Sequence, residues 1–354
     1  MPVKISFLLP VIALISCIAG SSRNKDQDPS TKFPKEQSLK SQNILQIENS
    51  IASLHLQDSF LVLRHMQNSY DHLLSFVNLK NYAAGIVFDK VKFGGDSGEV
   101  LSPLSCGLYK DSLFLVQDIS SGKVVVFNLG SAPNNNNGGT PYTEFNLPKF
   151  FYSICLLDTG FNVIANGDNG SLKELQKIDL KKGTIISEFG EYTSAPKTES
   201  ALEWKNKQES FLFMKPDGNQ LVSAGRYTDR IELFDLTQHK KLKTVTGPDN
   251  FGPELGYRSV GGFNKIIRNN KTRYAFLGGA TTDKYIYLLY SGNKCDGPDQ
   301  FYGKSIFIYR WDGTPVEKLN LDKLVSSIAV SKDDKELYAV DPVGKQIIKS
   351  SIIF

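Results

Sequence analysis

An apolar run, a polar turn, a second apolar run and then Asn or Asp followed by Leu recur along most of the 354 residues of this chain. Phe114-Leu115-Val116 leads to Val124 through Phe127 and Asn128-Leu129. Asn162 through Ala165 leads to Leu175 through Ile178 and Asp179-Leu180, and Leu221 through Ala224 leads to Ile231 through Phe234 and Asp235-Leu236. An earlier copy runs from Leu61-Val62-Leu63 to Leu74 through Val77 and Asn78-Leu79. Later copies are Tyr285 through Leu289 with Ile306 through Trp311, and Leu337 through Val340 with Ile347-Ile348. The end-points Asn78, Asn128, Asp179, Asp235 and Arg310 lie 50, 51, 56 and 75 residues apart, and the longest interval holds a Gly/Pro-rich insertion, Gly247 to Gly262. A period near fifty with a hairpin in each unit is what a four-stranded propeller blade requires.

From Ser50 onward the apolar segments are short, rich in Val, Ile, Phe and Tyr, and bounded by Gly, Asn, Asp and Ser, with no amphipathic helix evident. That pattern is all-β. Candidate innermost strands precede the hairpins at Ser53 to Leu56, Leu104 to Leu108, Tyr152 to Leu156, Phe211 to Met214, Tyr274 to Gly278 and Ser327 to Val330. The sixth unit runs out at Phe354 after its third strand, while Ile44-Leu45-Gln46-Ile47 is an apolar segment with no partner of its own. Pairing that segment with the last unit closes the ring and removes an exposed sheet edge. The expected architecture is therefore a six-bladed β-propeller over residues 44–354, its last blade completed by an N-terminal strand; the alternative is a β-sandwich or several small domains.

Ahead of the body, one charge, Lys4, precedes an apolar run from Ile5 to Ile15 broken only by Ser6 and Pro10, too short to span a bilayer and shaped like a signal peptide. Leu14-Ile15-Ser16-Cys17 resembles the bacterial lipobox, in which the enzyme cuts before cysteine and the thiol is diacylated. The expectation is a leader over 1–16 and a lipidated Cys17. The Ser, Lys, Asp, Gln and Pro stretch that follows lacks apolar surface to offset ordering, so residues 17–43 are expected to form a flexible tether. Ile18 rather than Asp after the cysteine resembles the outer-membrane sorting signal of Gram-negative lipoproteins. Lys25-Asp26-Gln27-Asp28 has the character of tethers that reach the cell surface, or of a plain solvated linker.

The charges nearly cancel, 41 Lys+Arg against 37 Asp+Glu, which leaves no concentrated basic stripe for nucleic acid. Three cysteines remain after Cys17, namely Cys106, Cys155 and Cys295, and an odd count is no complete disulfide framework. Cys106 and Cys155 stand at matching points of successive repeats and read as small hydrophobes.

Several motifs dissolve on inspection. Gly95-Asp96-Ser97-Gly98 spells the surroundings of a trypsin-like serine, but the nearest upstream histidine, His72, is only 25 residues away, so the segment reads as a Gly-rich turn. The four histidines, His55, His65, His72 and His239, include no pair at helical metal spacing, although three fall in the first repeat and could meet across strands; no metal or cofactor is expected. Asp168-Asn169-Gly170 and Asp333-Asp334 offer turn oxygens without the alternation of a calcium loop. Asn134 to Asn137 with Gly138-Gly139 reads as a solvent loop. Tyr285, Tyr287 and Tyr290 suit packing between blades or, alternatively, an aromatic platform.

Arg226 through Leu236, Asp283 through Gly292, Ile308 through Pro315, Ile328-Ala329-Val330 and Leu337 through Asp341 together resemble the TolB-like six-bladed propeller lipoproteins of Gram-negative envelopes. The resemblance spans the body and the lipid signal. It implies fold and envelope location, and it transfers no catalytic residue. Gly94 through Glu99 is a divergent form of the Gly-Pro-Gly segment common after the family's first blade.

A non-enzymatic, membrane-anchored binding or scaffolding propeller for an envelope protein or glycan is the function expected, with a monomeric body. The alternatives are a glycan lyase or hydrolase working through the central channel, and a ligand-sensing subunit beside a transporter. Arg226, Tyr227, Asp229, Arg230, Tyr290 and Asn293 flank the hairpin turns of blades four and five and form the expected ligand rim.

Overall fold

Short runs of β-branched and aromatic residues become strands whose two faces both need cover, because each sheet lies between two others. The computed structural model, which describes residues 32–130, 140, 142–167, 170–260 and 263–354, arranges them as six blades. Each meanders outward from the centre. Blade 1 comprises Ile51–Gln57, Phe60–His65, His72–Asn78 and Ile86–Lys92; blade 2, Pro103–Tyr109, Leu113–Asp118, Lys123–Asn128 and Tyr142–Asn146. Blade 3 is Ser153–Leu156, Asn162–Asn166, Lys173–Asp179 and Thr184–Glu191, and blade 4 is Ser210–Met214, Gln220–Gly225, Arg230–Asp235 and Lys240–Thr246. Blade 5 is Phe276–Thr281, Tyr285–Tyr290, Gly303–Arg310 and Pro315–Val325; blade 6 supplies Ser327–Val330, Glu336–Asp341 and Gln346–Ser351. The innermost strands touch in sequence around the circle, the sixth meeting the first.

The core lies between blades. Val62 and Phe76 of blade 1 pack with Phe114 and Phe127 of blade 2, and Leu115 and Val126 of blade 2 with Ile154 and Val163 of blade 3. Each such side chain contributes about 1.5–3 kcal/mol on burial.

The Asn/Asp-Leu signature has a mechanical explanation. As the third strand of blades 1 to 4 ends, the Asx side chain turns back on the chain: Asn128 Oδ1 accepts from Gly130 N at 2.9 Å and Asp235 Oδ1 from Thr237 N at 2.8 Å. The leucine that follows donates its N–H across to the preceding turn, Leu129 to Ser112 O at 2.7 Å and Leu236 to Asn219 O at 2.9 Å, and buries its side chain. Trp311 and Ile352 take that place in blades 5 and 6, which is why the motif fades there.

An N-terminal strand, as expected, completes blade 6. The polar–apolar stretch β1 (Glu36–Leu39) comes first, then β2 (Gln42–Gln46), which pairs antiparallel with Gln346–Ser351 and aligns Asn43 with Ile348 and Leu45 with Ile347. Ile44 and Ile47 are buried against Val340, Ile347 and Leu61, locking blade 6 to blade 1.

The ordered body begins earlier than residue 44. β1, placed in the tether by its polar composition, runs parallel to Pro315–Val325 as a fifth strand of blade 5, aligning Glu36 with Lys318 and Leu39 with Leu321. Backbone pairing makes no demand on side-chain polarity. Three anchors fix it: Leu39 is buried, Phe33 stacks on Phe307 at 5.0 Å, and Lys35 meets the fully buried Glu317 at 3.2 Å.

Other differences are local. A six-residue helix, Ala201–Asn206, sits between blades 3 and 4, opened by a capping box in which Ser200 Oγ accepts from Glu203 N and Ser200 N donates to Glu203 Oε2. The insertion after blade 4 is longer than Gly247–Gly262 and holds a hairpin of its own, Leu255–Val260 with Phe263–Arg268. The innermost strand of blade 5 starts at Phe276, two residues later than expected. The leader, Cys17, the 131–139 loop with its Asn run, and Asp168-Asn169 lie outside the described residues.

Candidate functional site

The end of the ring at which the innermost strands begin is termed the upper face. It carries three long connections, 192–209, 247–275 and 291–302; below, the turns between first and second strands are two to five residues, and one connection, 129–141, is long. Rigid strands with long loops at one end are the usual platform for binding.

At that end a cleft of about 430 Å³ opens between blades 6, 1, 4 and 5. Its wall includes Ile51 and Ala52 of blade 1, Phe211 and Arg226 of blade 4, Tyr274, Phe276 and Phe301 of blade 5, and Pro342 of blade 6. The volume suits a small ligand or one bulky side chain. Glu48 and Lys345 stand at its edge, both exposed.

Of the six expected rim residues, Arg226 alone lines this cleft. Its guanidinium pairs with Glu209 at 2.5 Å and lies 5.5–5.9 Å from the ring centres of Phe211, Tyr227 and Tyr274, a cation held by aromatic faces. Tyr227 is buried behind it, and burial pushes its phenol up. Asp229 turns inward instead: its carboxylate accepts from the N–H groups of Asp249, Asn250 and Phe251 at 2.7–3.2 Å, holding the 247–251 loop. Gly247 is required there, since a Cβ would stand 2.7 Å from Asp229 O. Burial pushes the Asp229 carboxyl up against the pull of those donors.

Tyr290 braces the same loop through its hydroxyl to Asp249 Oδ2 at 2.7 Å, and Asn293 Nδ2 donates to Asp299 O at 3.0 Å within its own loop. Arg230 points down the blade toward Glu232 at 3.5 Å and Thr193 Oγ1 at 3.1 Å. Thus Arg226 faces the cleft, while most of the other chosen side chains build the surrounding loops.

Below the cleft the central channel holds a cavity of about 570 Å³, walled by all six innermost strands. His55, Cys106 and Cys155 lie on this wall, with Lys110, Asp111, Lys215, Asp283 and Lys332 at its lower mouth. The cysteines are free thiols, half-buried, and burial pushes Cys155 up to about 12. His55 Nε2 meets Ser53 Oγ at 3.0 Å, and burial together with Arg64 lowers its pKa to about 3, so the ring is neutral. Serines bridge neighbouring blades around the wall: Ser327 Oγ accepts from Leu54 N, Ser105 Oγ from Ile154 N and Ser153 Oγ from Leu212 N, at 3.0–3.1 Å.

The remaining sequence candidates are structural. His65 stacks on Tyr70 at 4.3 Å and His72 lies beyond it, so two of the three blade-1 histidines share one aromatic stack, whereas His239 stacks on Phe189 at 4.9 Å. Ser97 Oγ meets Tyr142 OH at 2.7 Å in its Gly-rich turn. Tyr287 reaches from blade 5 to Asp334 of blade 6 at 2.9 Å, and Tyr285 stacks on Phe354.

Charge is also buried between blades 3 and 4. Glu174 and Glu232, both nearly inaccessible, share the ammonium of Lys241, with Arg230 and Tyr192 beside them. Burial, then repulsion from Glu232, pushes Glu174 up to about 8. A folded-state pKa above the ordinary 4.5 means the native protein holds a proton that the unfolded chain releases, so this site loses stability as pH rises from about 5 to 8. Glu174→Gln should flatten that part of the curve. Melting temperatures of both proteins across this range check it, and parallel curves would contradict it.

A family model described as TolB-like 6-blade propeller-like matches residues 30–333. No curated protein matches the sequence. Among solved structures, the β-propeller domain of Myceliophteria thermophila Cps50 (Swd1) is similar at 11% identity, covering 87% of this chain and 99% of that one with a TM-score of 0.47. Kuenenia stuttgartiensis hydrazine synthase is similar at 12% identity, covering 87% and 97%, with a TM-score of 0.47.

Proposed function

The chain belongs to the TolB-like 6-blade propeller-like family, and from that premise we propose that it is a membrane-anchored envelope protein that binds a partner at the upper mouth of its ring without chemical turnover. One observation carries the reading: the aromatic cleft formed by Phe211, Tyr274, Phe276 and Phe301 opens at the end that bears the 192–209, 247–275 and 291–302 loops. Cys17 supplies the anchor through its acyl chains, at the outer membrane as the residue after it suggests.

Arg226 beside Tyr227 and Tyr274 combines the residue types of a glycan lyase, but its details favour binding. Burial pushes the Tyr227 phenol away from the range of a base, Tyr274 OH accepts from Arg268, and Arg226 is already neutralised by Glu209.

Ala52 lines the cleft, and Ala52→Trp should fill it while leaving the ring folded. The test is formaldehyde crosslinking in cells of the natively lipidated chain, followed by affinity purification. A reproducible partner whose yield falls about tenfold, or roughly 1.4 kcal/mol, in Ala52→Trp supports the reading. Recovery of the protein alone, or turnover of a glycan that Ala52→Trp abolishes, overturns it.

A further inference from the structure

We infer that His65 is an acid-operated latch: on taking up a proton it frees the 66–71 connection of blade 1, and with it one wall of the upper cleft. The device belongs to the blade and goes beyond the binding reading, whose partner it does not invoke.

His65 closes the second strand of blade 1, where it aligns with Ile51, and its ring is buried. Met66 directly after it, with Ser50 and Ile51 on the neighbouring strand, lines the cleft. The connection that starts there is tied to that wall by two bonds to one carbonyl: Met66 N and Ser69 Oγ donate to Ser50 O at 2.9 and 3.2 Å. Further along, Tyr70 stacks on His65 with ring centres 4.3 Å apart and donates its hydroxyl to Asp89 Oδ2 at 2.8 Å. The connection is thus held at its start beside His65, and later by a ring stacked on His65.

The protons around that imidazole can be placed. Ser75, wholly buried, has one hydroxyl proton and gives it to Asp89 Oδ1, because a carboxylate only accepts. The 2.6 Å contact of Ser75 Oγ with His65 Nε2 then has the ring as donor. A neutral ring protonated at Nε2 keeps a bare lone pair on Nδ1, and Nδ1 is buried with no hydrogen-bond partner. A second proton can enter only there, and the N–H it forms would face no acceptor while the connection stays closed.

The charges around the ring compensate that proton poorly. Leu63 and Val77, on the same face of the sheet as His65 and Ser75, pack against Val340 and Ile347 of blade 6. There Asp341 is turned to Gly344 N and Gln346 Nε2, and Glu48 and Lys345 are exposed. Within blade 1 the nearby titratable groups are Asp89, already shared by Ser75 and Tyr70, His72, and the exposed Asp71. Arg64 turns to Ser53 Oγ, Lys90 lies over Phe88, and Lys92 is exposed. Burial pushes His65 down to about 4 against the pull of Asp89, and His72 adds to the shift.

Once the connection opens, the ring meets water and regains the ordinary value of 6.5, so the open form binds a proton before the closed one does. Closure is therefore fully favoured above about pH 6.5 and is lost progressively as pH falls toward 4. Between pH 7 and pH 5 the ratio of open to closed connection should rise about twentyfold.

Hydrogen exchange of the full chain, expressed with its native leader, tests the latch by mass spectrometry at pH 7 and pH 5, with rates corrected for the intrinsic pH dependence of amide exchange. Peptides spanning residues 66–72 should lose about twentyfold in protection, while those of Gly303–Arg310 in blade 5 hold theirs. His65→Gln, whose side-chain amide can still donate to Ser75 Oγ, should abolish the loss, and His72→Gln should retain it. Unchanged protection at pH 5, or an equal loss in every peptide, overturns the inference, and the wild-type chain alone yields either result. A loss that survives in folded His65→Gln overturns it too. These readings need no partner, so their failure leaves the proposed binding mouth standing, and failed capture of a partner leaves the latch standing.

Discussion

Deletion of residues 42–46 should lower the melting temperature by at least about 10 °C and broaden the transition. β2 is the outer strand of blade 6, and it is contributed by the opposite end of the chain. Without it Gln346–Ser351 becomes an exposed edge and Ile44 leaves its place between blades 6 and 1. Loss of that burial and of four aligned residue pairs removes at least ~4 kcal/mol. For a chain of this size each kcal/mol moves the midpoint by a few degrees, and an opened ring also loses cooperativity between its first and last blades. Differential scanning calorimetry decides it: an unchanged midpoint would mean that the closure contributes no stability.

The second large effect concerns location. With residues 1–16 exchanged for a leader that is cleaved without lipidation, Cys17→Ala should move the protein entirely from the membrane fraction to the soluble one. Two or more acyl chains hold stably because each buried methylene contributes about 0.8 kcal/mol. The described fold begins at residue 32, well beyond the substitution, so the melting temperature should stay at the wild-type value. Palmitate incorporation and fractionation check both parts. A variant that remains with membranes contradicts the anchor.

The blades were legible because a local device repeats: the Asx side chain that turns the chain after the third strand of blades 1 to 4 and the leucine that follows it are adjacent in sequence. Closure was legible by elimination, since Ile44 through Ile47 had no other partner. β1 was hidden, because Glu36-Gln37-Ser38-Leu39 has the composition of a linker and its order comes from a backbone edge almost three hundred residues away. A signal for the small helix was present in Ser200 and Glu203, and it was outweighed by the strand pattern around it. The serine bridges had one too, in Ser105, Ser153 and Ser327 near the start of their inner strands.

The site was less legible than the fold. Arg226 could be picked out from its turn, but Asp229, Tyr290 and Asn293 spend their polar groups on holding the 247–251 and 291–302 loops. Phe211, Tyr274 and Phe301 make the cleft because ring closure brings blades 4, 5, 6 and 1 around one mouth. No local pattern encodes that convergence.

In the proposed arrangement the chain enters the ring from the lower end, where Lys35 meets Glu317 and Ile353 O, and the binding mouth lies above. Lipid-borne quenching tests it most directly. A fluorescent amino acid placed at Val343 or at Asp283 in the lipidated chain, reconstituted into vesicles containing a quencher-labelled lipid, reports which end lies near the bilayer. Strong quenching at Asp283 and little at Val343 is the predicted result; equal quenching, or stronger quenching at Val343, would contradict it.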